Sequence, residues 1–507
     1  MIILGVALTV VAVLVVGLVV ARRVDGDTTN FLVAGRALPL PLAAAGLMGQ
    51  AVDSNATLGN TDLTASFGFW AGASLPLGLA LCLLLTGIFF APRMNRMRLY
   101  TLGDFYRRRY GRLVEVLSSV LMVVSFGILL AGNLVAGGLI LDRFLGTGYA
   151  LGVVLLVAVI LTYTVAGGMI SDAYTAALQM IITLVAVVAL FLWVATTYGI
   201  SIPEGMGPFD LGQLTDPAQG APINWGTLFA LALGDIVALD FMQRIFSAGS
   251  PSIARRACFV GAAGTAFVGV LYALIALSAG TAVDPADGPV LFTIITDAAP
   301  IGLAILVLSG IIAASCSTAN GAVLGTASVI TRNIVGQRRL GTGHGHTDTQ
   351  LRLVRLFMLP VVGIGILLAI QVPQTGILLT LAFDVMGACL LVPFALGVYW
   401  ARSTPAAALA AILTGAVVRL TTFVLTPTIY GAPNDLLYVP NSFVTAGFDG
   451  YPVFLATGAS LVVFVVTALL TTPRPELHDV EGIGAREEID LRVPAARQAE
   501  GVPAGQA

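Results

Sequence analysis

The sequence predicts an all-α integral membrane protein with about thirteen transmembrane helices, the second of them broken. Three observations carry that prediction: scarce charge, recurring long apolar runs, and one-sided arginine. Of 507 residues, 57% are hydrophobic and 10% charged, against roughly 25% charged in soluble domains. Such a chain cannot present water with a charged surface all round. Its apolar runs repeatedly reach about 18 residues, the length that crosses ~30 Å of hydrocarbon as a helix. With polar and Gly/Pro-rich stretches read as connections, the spans fall near residues 2–21, 40–65, 68–91, 114–140, 148–166, 175–198, 226–246, 258–282, 301–329, 353–371, 375–399, 404–427 and 452–471.

The opening run MIILGVALTVVAVLVVGLVV has no basic residue ahead of it and continues into Ala21-Arg22-Arg23 without a cleavage pattern. A retained first helix is expected, entering with its N-terminus outside. All 25 basic residues are arginine. Alternating the connections from that start puts every arginine on the cytoplasmic side except Arg143, outside, and Arg419, within a span. Positive charge is the main determinant of orientation, so this partition supports both the span count and a topology with the C-terminus cytoplasmic; a plasma or inner membrane location is expected. Residues 1–471 form the transmembrane domain, and the Pro-, Arg-, Glu- and Ala-rich stretch 472–507 is expected to be a disordered cytoplasmic tail. Cys82, Cys258, Cys316 and Cys389 are widely separated and read as packing residues. His344-Gly345-His346 has a metal-binding spacing but sits in a Gly-rich loop, where solvation is the expected state.

Two spans carry polar clusters. In the second, Gly46-Leu47-Met48-Gly49-Gln50-Ala51-Val52-Asp53-Ser54-Asn55-Ala56-Thr57-Leu58-Gly59-Asn60 puts amide, carboxylate and hydroxyl groups in mid-membrane. A central Asp costs about 3 kcal/mol to insert, so these groups must face protein or a watery cavity. Glycines and competing Asp, Ser and Asn side chains favour an unwound stretch whose freed carbonyls can hold a cation. A kinked helix with internally bonded polar groups is the bland alternative. In the ninth, Ser309-Gly310-Ile311-Ile312-Ala313-Ala314-Ser315-Cys316-Ser317-Thr318-Ala319-Asn320-Gly321 places the Ser317 and Thr318 hydroxyls one turn from the Ala314 carbonyl. Sodium, a hard cation, takes such neutral oxygens. Small residues also serve helix packing in membranes, which leaves that reading open at this stage.

Several further stretches resemble the sodium:solute symporter family, which includes bacterial proline and galactose symporters. Phe31-Leu32-Val33-Ala34-Gly35-Arg36-Ala37-Leu38-Pro39 is similar to the family's FxxAGR-x-LP stretch, and Thr101-Leu102-Gly103-Asp104-Phe105-Tyr106-Arg107-Arg108-Arg109-Tyr110-Gly111 to its TLxDFxxxRYG loop. Gly167-Gly168 with Thr175 and Gln179, Gln243-Arg244 with Ala254-Arg255, and Tyr399-Trp400 follow in the family's order. The likeness spans roughly residues 1–470. It implies a 5+5 inverted-repeat core, about 40–198 and 226–399. It also implies sodium-coupled symport, with Na+ held by Gly49 and Val52 of the second helix and Ala314, Ser317 and Thr318 of the ninth. The family's frequent Asp after Thr175 is Ala176 here, with Asp172 four residues earlier, so a second ion site relying on that Asp is in doubt.

Family membership does not choose the cargo. The resemblance puts the pocket between helices two, four, seven and eleven, with candidate lining from Asp53, Ser54, Asn55, Ala56, Asn133, Asp235, Asp240 and Asp384. Acids point toward it, but no arginine is expected there, since Arg244 belongs to the end of helix seven and Arg419 to a helix outside the core. A carboxylate cargo would want a cationic or helix-terminus partner, and the expectation leans to an amine-bearing, cationic or neutral hydrogen-bonding solute. Proton coupling through Asp53 or Asp235, and a transporter-like channel or sensor, are the competing readings. No nucleophile with a nearby base is found within the spans, so an enzyme is not expected; nor is a nucleic-acid or obligate protein partner.

Overall fold

Two helices that stop in mid-span set the geometry of everything packed around them. The computed structural model describes residues 2–279, 289–336, 349–372, 377–434 and 437–472. His344, His346 and the tail from residue 473 lie outside the described residues. In chain order the principal helices are α1 (Ile2–Ala21), α2 (Leu40–Ala51), α3 (Asn60–Phe67), α4 (Phe69–Leu85), α5 (Leu102–Tyr110), α6 (Arg112–Leu145), α7 (Tyr149–Thr197), α8 (Ala221–Phe229), α9 (Leu239–Ser247), α10 (Pro251–Ala279), α11 (Val290–Asp297), α12 (Ile301–Val329), α13 (Thr349–Gln371), α14 (Ile377–Met386), α15 (Val392–Tyr399), α16 (Pro405–Leu425) and α17 (Pro452–Leu470).

Among the described residues, ten helices are long and apolar enough to cross a bilayer. An eleventh span is the pair of helices over Ala221–Val237 and Leu239–Ser247, bent by 46° where they meet. Helix α2 has 12 residues and continues through α3, so α2 and α3 together make one broken span. The 49-residue α7 would be about 70 Å long if straight, more than twice the hydrocarbon thickness. It is divided at Gly168, whose φ of +49° and ψ of −133° turn the chain between two spans. A Cβ at Gly168 would lie 2.4 Å from the Phe31 carbonyl oxygen, so glycine answers both the conformation and the close approach. The predicted gap between the fifth and sixth spans is therefore a kink with no connecting loop.

Helix α1 packs from outside on α7 and α12, and its Leu4, Leu8, Val11, Val15 and Val19 are exposed. Such a continuous apolar face suits a lipid surrounding. Helix α12 is the opposite case: from Val307 to Val329 every residue is buried, and it runs against α7, α6 and α13 at the centre of the bundle.

At the arginine-rich end, the short helix α5 is fastened under α15. The Tyr106 hydroxyl donates to the Leu390 carbonyl at 2.9 Å, Tyr110 to Pro393 at 2.6 Å, and Arg109 Nε to Gly397 at 3.1 Å. Asp104 pairs with Arg332 at 2.7 Å, while the Asn333 amide donates to both Asp104 (3.1 Å) and Glu115 (2.8 Å). The loop motif around Asp104 thus works as a structural clasp between α5, the base of α6 and the end of α12.

Candidate cation and solute site

Helix α2 ends because its next residues offer the backbone better partners than a further helical turn. Val52 leaves the helix at φ −95°, ψ 81°. Asp53 follows as an N-cap for the chain that restarts, its carboxylate accepting the Ala56 amide at 2.8 Å and the Asn55 side-chain amide at 2.7 Å. The helix resumes through a widened turn over Asn55–Gly59. The Ser54 hydroxyl donates to Asn133 Oδ1 on α6 at 3.2 Å, and Asn133 in turn donates to the Leu129 carbonyl at 3.2 Å. The break therefore brings Asp53, Ser54, Asn55, Ala56 and Asn133 together, with most of their polar atoms engaged among themselves.

One turn before the break, α2 meets α12. The Thr318 hydroxyl donates to the Gly49 carbonyl at 3.1 Å and lies 3.4 Å from the Ala314 carbonyl. The Gln50 amide donates to the Ser317 carbonyl at 2.9 Å. The Ser317 hydroxyl is buried without a partner, and a Cβ on Gly49 would stand 2.7 Å from it, so only glycine leaves that hydroxyl its room. Gly49, Ala314 and Thr318 thus direct oxygens to one place, Ser317 adjoins it, and Val52 sits at the frayed end of α2, its amide held by Met48 at 2.7 Å. Neutral carbonyls and hydroxyls suit a hard monovalent cation better than a transition metal.

Beside this cluster lies a cation that the sequence reading did not point toward it. Arg244 does lie in the last turn of α9, as the sequence reading had it, but its side chain is buried and pairs with Asp172 of α7 at 2.6 Å. Asn320 of α12 donates to the other Asp172 oxygen at 2.7 Å and also contacts Thr164. The guanidinium is threaded between α2 and α12, which approach each other there through Gly46 and Gly321: a Cβ at either would lie 3.3 Å from Arg244 Cδ or 2.9 Å from its Nη2. The arm of arginine is long enough to leave the end of its own helix and enter the bundle, which linear position does not reveal.

The second break is unlike the first. After α8 the chain passes through a widened turn to a tight turn at Asp235–Val237, then restarts as α9. Gly234 presses on α14, where a Cβ would meet the Phe383 carbonyl oxygen at 2.0 Å. Asp235 is 1% exposed and neither of its carboxylate oxygens has a partner. Asp240, in the first turn of α9, accepts the Phe241 amide at 2.7 Å, and its carbonyl takes Arg244 Nη1 at 2.9 Å. Asp384 lies on α14 but is occupied: Arg419 of α16 pairs with it at 2.6 Å and the Tyr430 hydroxyl donates to it at 2.9 Å. The premise that no arginine reaches this region is thereby corrected, because α16 packs close enough to α14 for the Arg419 side chain to cross between them.

The chain matches the family model described as the sodium:solute symporter family over residues 31–415. It is 26% identical over 447 residues to the sodium/proline symporter of Staphylococcus aureus strain JH9, covering 80% of this chain and 82% of that one. It is 24% identical over 290 residues to the human high affinity choline transporter 1, covering 52% of this chain and 48% of that one. Its fold is similar to that of a Na+-coupled sialic acid symporter in a substrate-bound outward-open state, with a TM-score of 0.73 at 18% identity over 93% of this chain and 98% of that one. The match covers the broken helix, the clasp and the α12 cluster together: the chain belongs to the sodium:solute symporter family.

Proposed function

We propose that this protein carries a small organic solute across the plasma or inner membrane by sodium-coupled symport, with Gly49, Val52, Ala314, Ser317 and Thr318 as the sodium ligands. The observation that supports this most directly is the Thr318 hydroxyl on the Gly49 carbonyl, with the Ser317 hydroxyl beside it and unpartnered. Sodium is here a co-transported substrate. It joins α2 to α12 while bound, and its departure leaves the two free to separate. The inverted repeats, about 40–198 and 226–399, would then rock about the buried site to expose it alternately to each face. With the N-terminus outside and the arginine-rich end cytoplasmic, the membrane potential supplies about 2.3 kcal/mol per charge per 100 mV, or roughly 50-fold accumulation per sodium.

The relatives' names span an amino acid, a quaternary amine and a sialic acid, so cargo is argued from this chain's own residues. Asp53, Ser54, Asn55, Ala56, Asn133 and Asp235 are the candidate lining, and they favour an amine-bearing, cationic or neutral hydrogen-bonding solute. Asp384, already held by Arg419, is better assigned to structure, and Asp240 to the base of the pocket. A second reading, proton coupling, has one observation in its favour, the unpartnered buried carboxylate of Asp235. Uptake of radiolabelled amines into proteoliposomes, with sodium replaced by potassium at fixed pH, separates the two. Uptake that requires sodium supports symport as proposed, and uptake that persists under a pH gradient without sodium overturns it.

A further inference from the structure

Of the buried acids near the two breaks, two are paired with guanidinium groups, two take only neutral amide donors, and one takes no donor at all. Arg244 is matched by Asp172 and Arg419 by Asp384, both at 2.6 Å. Neither guanidinium is therefore available to receive a carboxylate from a cargo. Asp53 is engaged by the Ala56 amide and the Asn55 side chain, and Asp240 by the Phe241 amide. Asp235 alone of these acids has no hydrogen bond to either oxygen.

Its position is that of a binding group. The Asp235–Val237 turn interrupts a span and packs against α4 and α14. A buried carboxylate with no donor is costly unless a proton, an ion or a ligand completes it. Among the described residues nothing cationic pairs with it, so its partner comes from outside them.

We propose that Asp235 receives the cationic nitrogen of the cargo, and that the cargo is a small organic ammonium ion carrying no carboxylate. This rests on the transporter reading above and narrows it. A carboxylate on the cargo would meet Asp53 and Asp240 while both nearby guanidinium groups are paired with other acids, whereas an ammonium group donates to the one carboxylate that lacks a donor. Quaternary and primary ammonium groups both fit this chemistry.

The test uses the purified full-length protein in detergent, measuring its melting temperature with sodium alone and with sodium plus choline, ethanolamine, acetate, proline or urea. The expected result is a saturable upward shift from sodium, a further shift from choline or ethanolamine, and none from acetate. In Asp235→Asn the ammonium-induced shift should require about tenfold to a hundredfold more ligand, the loss expected for a charge-assisted contact, with the sodium-induced shift retained. Asp235→Glu, which keeps the charge, should recover part of the response and guards against a variant that merely packs poorly. An Asp235→Asn protein that binds choline or ethanolamine like the wild type overturns the proposal, as does a wild type that answers to acetate, proline or urea and to neither ammonium probe. Absence of the sodium shift with the ammonium shift intact would instead contradict the sodium reading and leave this one standing.

Discussion

The two broken helices share a topological position and differ in how their polar groups are used. At the first break, Asp53 caps its own restart, Ser54 bonds to Asn133, and the carbonyls released at the end of α2 turn toward the hydroxyls of α12. At the second, the turn at Asp235 is pinned by close backbone contact with α14, and its buried carboxylate has no hydrogen-bond partner among the described residues. A break whose side chains satisfy one another leaves backbone oxygens for a small spherical ion. A break that holds a bare carboxylate selects a ligand with charge and shape. On the proposed function, the ion is held where the first break meets α12, and the second break, bordered by α14, adds its bare carboxylate to a solute pocket that the first break also lines.

The hardest way to disturb this division is to remove what supports it from beneath. Asp172→Asn would leave the Arg244 guanidinium buried between α2 and α12 without its carboxylate, a loss of about 3–5 kcal/mol. The melting temperature of the purified variant should fall steeply, and Asp172→Leu combined with Arg244→Met should regain most of it. A single variant as stable as the wild type would mean the pair does not anchor the first break.

A smaller and more selective effect is expected at the hydroxyls. In the double variant Ser317→Ala and Thr318→Ala, the sodium concentration for half-maximal uptake should rise by about ten- to a hundredfold, as for the loss of oxygen contacts to a charge. Ammonium-induced stabilisation at saturating sodium should survive. Equal loss of both responses would erase the distinction between the breaks.

Gly49→Ala sharpens the same point sterically. The added methyl would enter the 2.7 Å space before the Ser317 hydroxyl, and overpacking of that kind costs about 1–3 kcal/mol. Introduced into a Ser317→Ala background it should cost less, and a double-mutant cycle measures the coupling. Strict additivity would show that the two residues do not face each other. The mildest change is Ser54→Ala, which removes one neutral hydrogen bond to Asn133 and should cost about 1 kcal/mol or less. Its effect belongs in solute affinity, with half-saturating sodium unmoved.

Much of the fold was legible because bilayer and backbone impose it. Apolar run lengths give spans, and Asp, Ser and Asn between glycines in mid-membrane announce a broken helix, as Val52 and Asp53 show. That Ser317 and Thr318 lie against Gly49 followed only from likeness to the family, since residues 269 positions apart carry no local signal of contact. What stayed illegible were partnerships made by long side chains. Arg244 meets Asp172 across 72 positions and Arg419 meets Asp384 across 35. In both, the guanidinium travels further sideways than a helix-by-helix reading of depth allows. Asp172, standing one turn before the residue where the family keeps its acid, was the one available sign that a buried cation needed a partner there. The widened turns at Asn55–Gly59 and Gly387–Leu391 were likewise hidden, because an extra residue per turn leaves no mark in composition.

Equilibrium binding of radiolabelled sodium to the purified protein tests the division of labour most directly. The account predicts saturable binding in the wild type, binding retained in Asp235→Asn, and binding lost in the Ser317→Ala, Thr318→Ala double variant. Undiminished sodium binding by that double variant would contradict it.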